Sequence, residues 1–203
     1  MSSPPKRRRH KAVRLAVLAL LVAVSATGCS GDDEPVPSTD PSGSLADPSD
    51  APTLQIEPVL ESGAIVGRLP RKDRGRVEGV VSRTAVGFLE AAYLAGDYPR
   101  SDFSGTFPGF TTGAATVARR DRNLPTNQRI GERIDGVTPT LLRVKVDLLA
   151  VNKRAVAATA HVKLRFRTSG TVTKRVSVQG ELRLTKRDGD WKIFAYDLTK
   201  GAR

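Results

Sequence analysis

Side chains able to do covalent or acid–base chemistry are few in this 203-residue chain, and most stand alone. There is one cysteine, Cys29, and beyond the first ten residues one histidine, His161. A nitrogen–sulfur metal site needs several convergent ligands, so this inventory excludes one, and neither metal nor cofactor is expected. A Ser-His-Asp arrangement would have to use His161, placed by its sequence neighbours beside Lys163 and Arg165, cations that disfavour its protonation. It reads as an exposed sheet histidine. An isomerase- or dehydratase-like acid/base site needs a pocket carboxylate with a Tyr or acid donor opposite. Asp97, Asp102, Tyr93 and Tyr98 are the candidates, at the end of a helical segment, where they read more simply as a helix C-terminal turn with Tyr93 in the core. No catalytic residue is assigned. The run Gly63-Ala64-Ile65-Val66-Gly67 lacks the Lys-Ser/Thr that would make it a phosphate loop.

The surroundings of Cys29 give its sulfur a use. Lys6, Arg7, Arg8, Arg9, Lys11 and Arg14 form a positive start, and Leu15 to Val24 an apolar run about half the roughly 20 residues a spanning helix needs. Small residues Ser25, Ala26 and Gly28 precede Cys29, and the chain turns polar at Ser30-Gly31-Asp32-Asp33-Glu34. Ala26-Thr27-Gly28-Cys29 resembles the lipobox of bacterial lipoproteins, with Ala26 where Leu is commonest. The resemblance implies a signal peptide over 1–28, cleavage before Cys29, and diacylglycerol on its thiol. Two acyl chains anchor stably where one does not. The expected address is therefore the extracytoplasmic face of the cell membrane. A single thiol also forms no internal disulfide, and lipidation caps it.

Residues 29–57 are rich in Pro, Ser, Asp, Gly and Thr and read as a disordered tether with a reach of roughly 30 Å. Seven acids and no basic residue lie there, whereas residues 58–203 hold 27 basic against 14 acidic residues, a surplus of 13. The folded part, rather than the tether, is thus the region suited to anionic material.

Those 146 residues suffice for one core and show no internal repeat. From Asp73, Val77, Val80, Val81, Ala85, Phe88, Leu89, Ala92 and Tyr93 recur at the helical period, with Asp73 as cap and Gly96 as stop. The Gly- and Pro-bearing stretch 97–113, with Phe103, Phe107 and Phe110, predicts a loop that lids or plugs one end of the core. Thr112 caps a shorter helix. Four runs then alternate with period two, Thr140–Val151, Ala155–Thr168, Val172–Thr185 and Trp191–Thr199, separated by turn residues at Asn152-Lys153, Ser169-Gly170 and Asp188-Gly189. The expected fold is α+β: N-terminal helices packed on a curved antiparallel sheet of about four strands.

That order, with the closing Gly189-Asp190-Trp191-Lys192-Ile193, resembles the nuclear transport factor 2-like superfamily over roughly Arg74 to Thr199. The resemblance implies a cone-shaped α+β roll whose sheet wraps the helices to leave a pocket. Members use it for catalysis, for ligands or for subunit binding, so a homodimer stays open, and fold alone chooses no function.

The residues opposite in parity to the core are the more distinctive feature. Arg143, Lys145, Lys163, Arg165, Arg167, Arg175 and Arg183, with His161, make a basic stripe if the strands align, with Asp147 and Glu181 the acids among them. A solvated outer face would look the same. The functional reading is adhesion to anionic lipid or wall polymer, each exposed cation contributing about 1 kcal/mol. Nucleic acid is not expected: export removes it, and few aromatics accompany the stripe for stacking. The sequence therefore points to a non-enzymatic, lipid-anchored envelope protein binding an apolar ligand, an envelope partner or an anionic surface. The alternative is the acid/base enzyme.

Overall fold

The structure, a computed structural model, describes residues 56–121 and 123–202. The signal, Cys29 and the tether as far as residue 55 lie outside the described residues. Two helices and a five-stranded mixed sheet make an α+β fold. In chain order these are β1 (Val59–Val66), α1 (Arg71–Leu89), α2 (Thr112–Arg120), β2 (Gly136–Val151), β3 (Arg154–Ser169), β4 (Arg175–Arg187) and β5 (Asp190–Ala202). The sheet order follows the chain, with β1 parallel to β2 and the other neighbours antiparallel.

Two expectations need correction here. The sheet has five strands rather than about four, and a strand rather than a helix comes first. The sequence of β1 hides it, because its pairing breaks between Ser62 and Ile65 and the apolar residues Val59, Leu60, Ile65 and Val66 do not alternate. The glycine at this break, Gly63, is fixed by crowding, since a Cβ there would overlap the Asp147 carboxylate and meet the Val146 carbonyl at 2.7 Å. The run from Gly63 to Gly67, unsuited to phosphate, is thus part of an edge strand and its exit.

The helix starts at Arg71, with Pro70 as N-cap and Asp73 in the first turn, where it pairs with Arg76 instead of capping. Its buried face is the one the spacing predicts: Val81, Ala85, Phe88 and Leu89, then Ala92 and Tyr93 after a switch to a π turn over Glu90–Leu94. Arg100 closes this end, donating to the carbonyls of Ala91 (3.0 Å) and Ala95 (2.7 Å). In α2 the cap is Thr111, whose Oγ1 accepts from the Ala114 N–H at 3.3 Å, one residue earlier than Thr112.

Two of the three predicted hairpins are two-residue loops with positive φ at both positions, Asn152 (51°) with Lys153 (63°) and Asp188 (51°) with Gly189 (91°). The third is longer. Thr168, 3% exposed, donates from Oγ1 to the Val172 carbonyl at 2.6 Å and accepts from the Lys174 N–H at 2.9 Å, so β4 begins only at Arg175.

One sheet face is the core. Leu142, Val144, Val146 and Leu148 on β2, Ala160, Val162, Leu164 and Phe166 on β3, Val178, Leu182 and Leu184 on β4, and Ile193 on β5 are all buried. Phe88 is its centre, 4.9 Å between ring centroids from Phe110 and 6.2 Å from Phe107, with Tyr93 edge-on at 6.3 Å. Phe107 and Phe110 thus plug the core, and Phe103 lies apart beneath the Arg100 guanidinium at 4.3 Å. Truncating Phe88 to Ala would cost about 3–5 kcal/mol.

Candidate functional site: the outer face of the sheet

Alternation along four long strands places every second side chain on the face away from the helices, and register sorts those side chains into rows across the sheet. Lys145, His161, Glu181 and Asp197 make one row across the middle. On one side of it lies Asp147, opposite Thr159 and Arg183. On the other side come the row of Arg143, Lys163, Gln179 and Thr199, then Leu141, Arg165, Ser177 and Gly201, and last Thr138, Arg167 and Arg175. The seven basic residues read from the sequence therefore share one face, but they do not form one uniform stripe.

The middle of the face is neutralised. His161 Nε2 is 2.9 Å from Asp147 Oδ2, and its Nδ1 is 3.6 Å from Glu181 Oε1, which leaves the imidazole between two carboxylates. Arg183 reaches the other Glu181 oxygen at 3.6 Å, and Arg143 pairs with Glu61 of β1 at 3.1 Å. Partial burial works to raise the Asp147 carboxyl. The hydrogen bonds from His161 and from the Ala64 N–H, at 2.7 Å, outweigh it and hold the group below its ordinary value of 3.8. His161 is thus half-exposed as expected, but its surroundings are corrected: acids on neighbouring strands flank it more closely than the cations two residues away in sequence.

The end of the face nearest the β3–β4 connection is different. Lys163, Arg165, Arg167 and Arg175, joined by Lys174 of the connecting loop, have no ion pair with any described residue. Arg167 and Arg175 are directly opposite each other, like charges that repel unless a counter-charge sits between them. Here the strands leave an open depression of about 1200 Å³. Arg165, Arg167 and Arg175 are among its lining, and Thr140, Ser177, Gln179 and Thr199 supply neutral hydroxyl and amide groups. No carboxylate is among its described lining residues. Lys200 also borders it, but its ammonium turns inward to the carbonyls of Asn123 and Thr126, and burial, aided by Arg129, pushes it down to about 8.

The four acid/base candidates come together around the end of the helix without forming a proton-transfer pair. The Tyr93 hydroxyl donates to the Leu124 carbonyl at 2.6 Å, and the Tyr98 hydroxyl donates to the Tyr93 carbonyl at 3.2 Å. Asp97 is exposed. Asp102 accepts from the Ser104 N–H at 2.8 Å, the main cause that holds its carboxyl below the ordinary range. Among the described residues no carboxylate is buried, and no group of three His, Cys, Asp or Glu side chains is placed to hold a metal ion.

Two residues of the face escape a reading by strand parity. Glu61 belongs to the unforeseen β1, and Lys174 falls in the loop that Thr168 lengthens; the adjacent pair Lys174-Arg175 was its only signal in the sequence. No helix among the described residues is long and apolar enough to cross a membrane. Compared with known proteins, the chain matches no family model, no curated protein and no solved structure.

Proposed function

We propose that this is a lipid-anchored protein of the cell envelope, joined to the outer leaflet through Cys29, whose α+β roll binds anionic envelope material on the outer face of its sheet. The observation that carries this reading is the set of Arg165, Arg167, Lys174 and Arg175 around an open depression that no carboxylate of the described residues lines. Cations without a partner among the described residues keep their attraction for an added anion, whereas Arg143 and Arg183 already face Glu61 and Glu181. The apolar-ligand version has less support, because Phe88, Phe107, Phe110 and Tyr93 fill the space between helix and sheet. The likeness to the nuclear transport factor 2-like roll rests on the long helix against the β2–β5 meander and on the closing Trp191-Lys192-Ile193. In this chain β1 precedes the helix, and side chains fill the interior.

The address is tested by mass spectrometry of the amino-terminal peptide. A diacylglyceryl thioether on Cys29, and release of Cys29→Ser from the membrane fraction, are expected; a free thiol on an uncleaved chain would sink it. Binding is tested with the full chain held in phosphatidylcholine nanodiscs and presented with an immobilised anionic matrix. Capture that falls steeply between 50 and 300 mM salt is expected; salt-independent capture, or none, would reject the reading.

A further inference from the structure

The outer face holds more than a generic affinity for negative charge, and its shape bears on which anionic partner fits. A bilayer is flat over the dimensions of this domain. It meets protruding cations, but it does not follow a hollow. At the basic end the cations, without ion pairs among the described residues, stand beside a hollow of about 1200 Å³ that Ser177, Gln179 and Thr199 also line with neutral hydrogen-bonding groups. A chain of repeated anionic units has the matching form, because it is narrow enough to lie in the hollow and carries a new charge for each cation it passes.

The spacing favours the same occupant. Arg165 and Arg167 are two residues apart on β3, roughly 7 Å along the strand, and Arg175 sits across from Arg167 at roughly 5 Å. Together with Lys174 they place four positive charges around one hollow, and a single phosphate, with about two negative charges at most, cannot neutralise them all. Successive units of a linear polyanion can, each contact raising the effective concentration of the next. Resting on the proposed function, we infer that the depression is a binding groove for a linear polyanion with charges repeated along its backbone, running from the arginines of β3 and β4 toward Thr199 on β5.

The probe is linear inorganic polyphosphate of about 20 units, titrated into the full chain in phosphatidylcholine nanodiscs, alongside orthophosphate and phosphatidylglycerol vesicles. Polyphosphate is expected to bind, and orthophosphate at equal total phosphate is not expected to displace it. Arg165→Gln, Arg167→Gln and Arg175→Gln together should weaken polyphosphate about a hundredfold, near fivefold for each exposed cation. The logarithmic salt slope should shrink by about 2, at roughly 0.7 per cation. A control removes the same charge at the far end of the sheet, Lys153→Gln, Arg154→Gln and Arg187→Gln, all exposed, and should leave binding within threefold. Equal losses from both triple variants would overturn the groove, as would competition by orthophosphate. Binding of phosphatidylglycerol vesicles but not polyphosphate would overturn the groove and leave the anionic-surface reading standing. Binding of neither would remove both. All six substituted side chains are exposed, and a thermal midpoint that does not fall in either variant separates lost binding from lost folding.

Discussion

Two charged regions share the outer face of the sheet and differ in what answers their charge. In the middle, Asp147, His161, Glu181 and Arg183 answer one another across three strands, and Glu61 answers Arg143 from a fourth. At the end near the β3–β4 loop, Arg165, Arg167, Lys174 and Arg175 have no counter-charge among the described residues, and two of them face each other across the ladder. Folding alone gains nothing from that second arrangement, since directly opposed like charges are destabilising. The middle therefore reads as a structural region that holds the edge strand and sets register. The basic end reads as a region kept open for a partner.

The largest expected effect breaks the comparison at the basic end. Replacing Arg165, Arg167 and Arg175 with Gln should lower affinity for a polyanion about a hundredfold. The same change should leave the thermal midpoint unchanged or raise it, because a repulsion is removed. Calorimetric titration and thermal unfolding of the same samples check both halves. Charge changes in the middle should do the reverse.

Next comes Gly63. A side chain there overlaps the Asp147 carboxylate, so Gly63→Ala must displace either β1 or Asp147. We expect a loss of about 2 kcal/mol in denaturant unfolding, within the usual range for steric changes, with polyanion affinity preserved. Asp147→Asn keeps the side-chain shape but removes the charge facing His161, and should cost about 1 kcal/mol. Its pH dependence is the sharper check. The folded-state carboxyl lies below 3.8, so its contribution is complete above about pH 5 and is lost as pH falls through the lowered value. Asp147→Asn should flatten the acid limb of the stability profile, and an unchanged limb would show that the carboxylate network does not hold β1. The smallest effect belongs to Arg183→Gln, an exposed partner at 3.6 Å, at under about 0.5 kcal/mol in stability.

The contrast between the two regions was only partly legible in the sequence. Period-two alternation located β2 to β5 and separated core from outer face, because each strand has one dry and one wet side. Helical spacing found Val81, Ala85, Phe88, Leu89, Ala92 and Tyr93 for the same reason. Alternation along a strand, however, says nothing about what lies across from it. Spacing in the chain sets His161 beside Lys163 and Arg165, yet Asp147 and Glu181, 14 and 20 positions away, are what it touches. Glu61 stayed hidden because the irregular pairing of β1 removes the periodicity that would reveal a strand. Thr168 hid the length of the β3–β4 loop, since its bonds to Val172 and Lys174 follow no spacing rule. Without those facts the basic residues read as one stripe instead of a neutralised centre and an open end.

The most direct measurement follows the arginine side-chain Nε–Hε signals by NMR in the full chain as polyphosphate is added at low salt. The account predicts that the resonances of Arg165, Arg167 and Arg175 shift and saturate together, while those of Arg143 and Arg183, held by Glu61 and Glu181, stay in place. Uniform small shifts across all five, or movement led by Arg143 and Arg183, would contradict it.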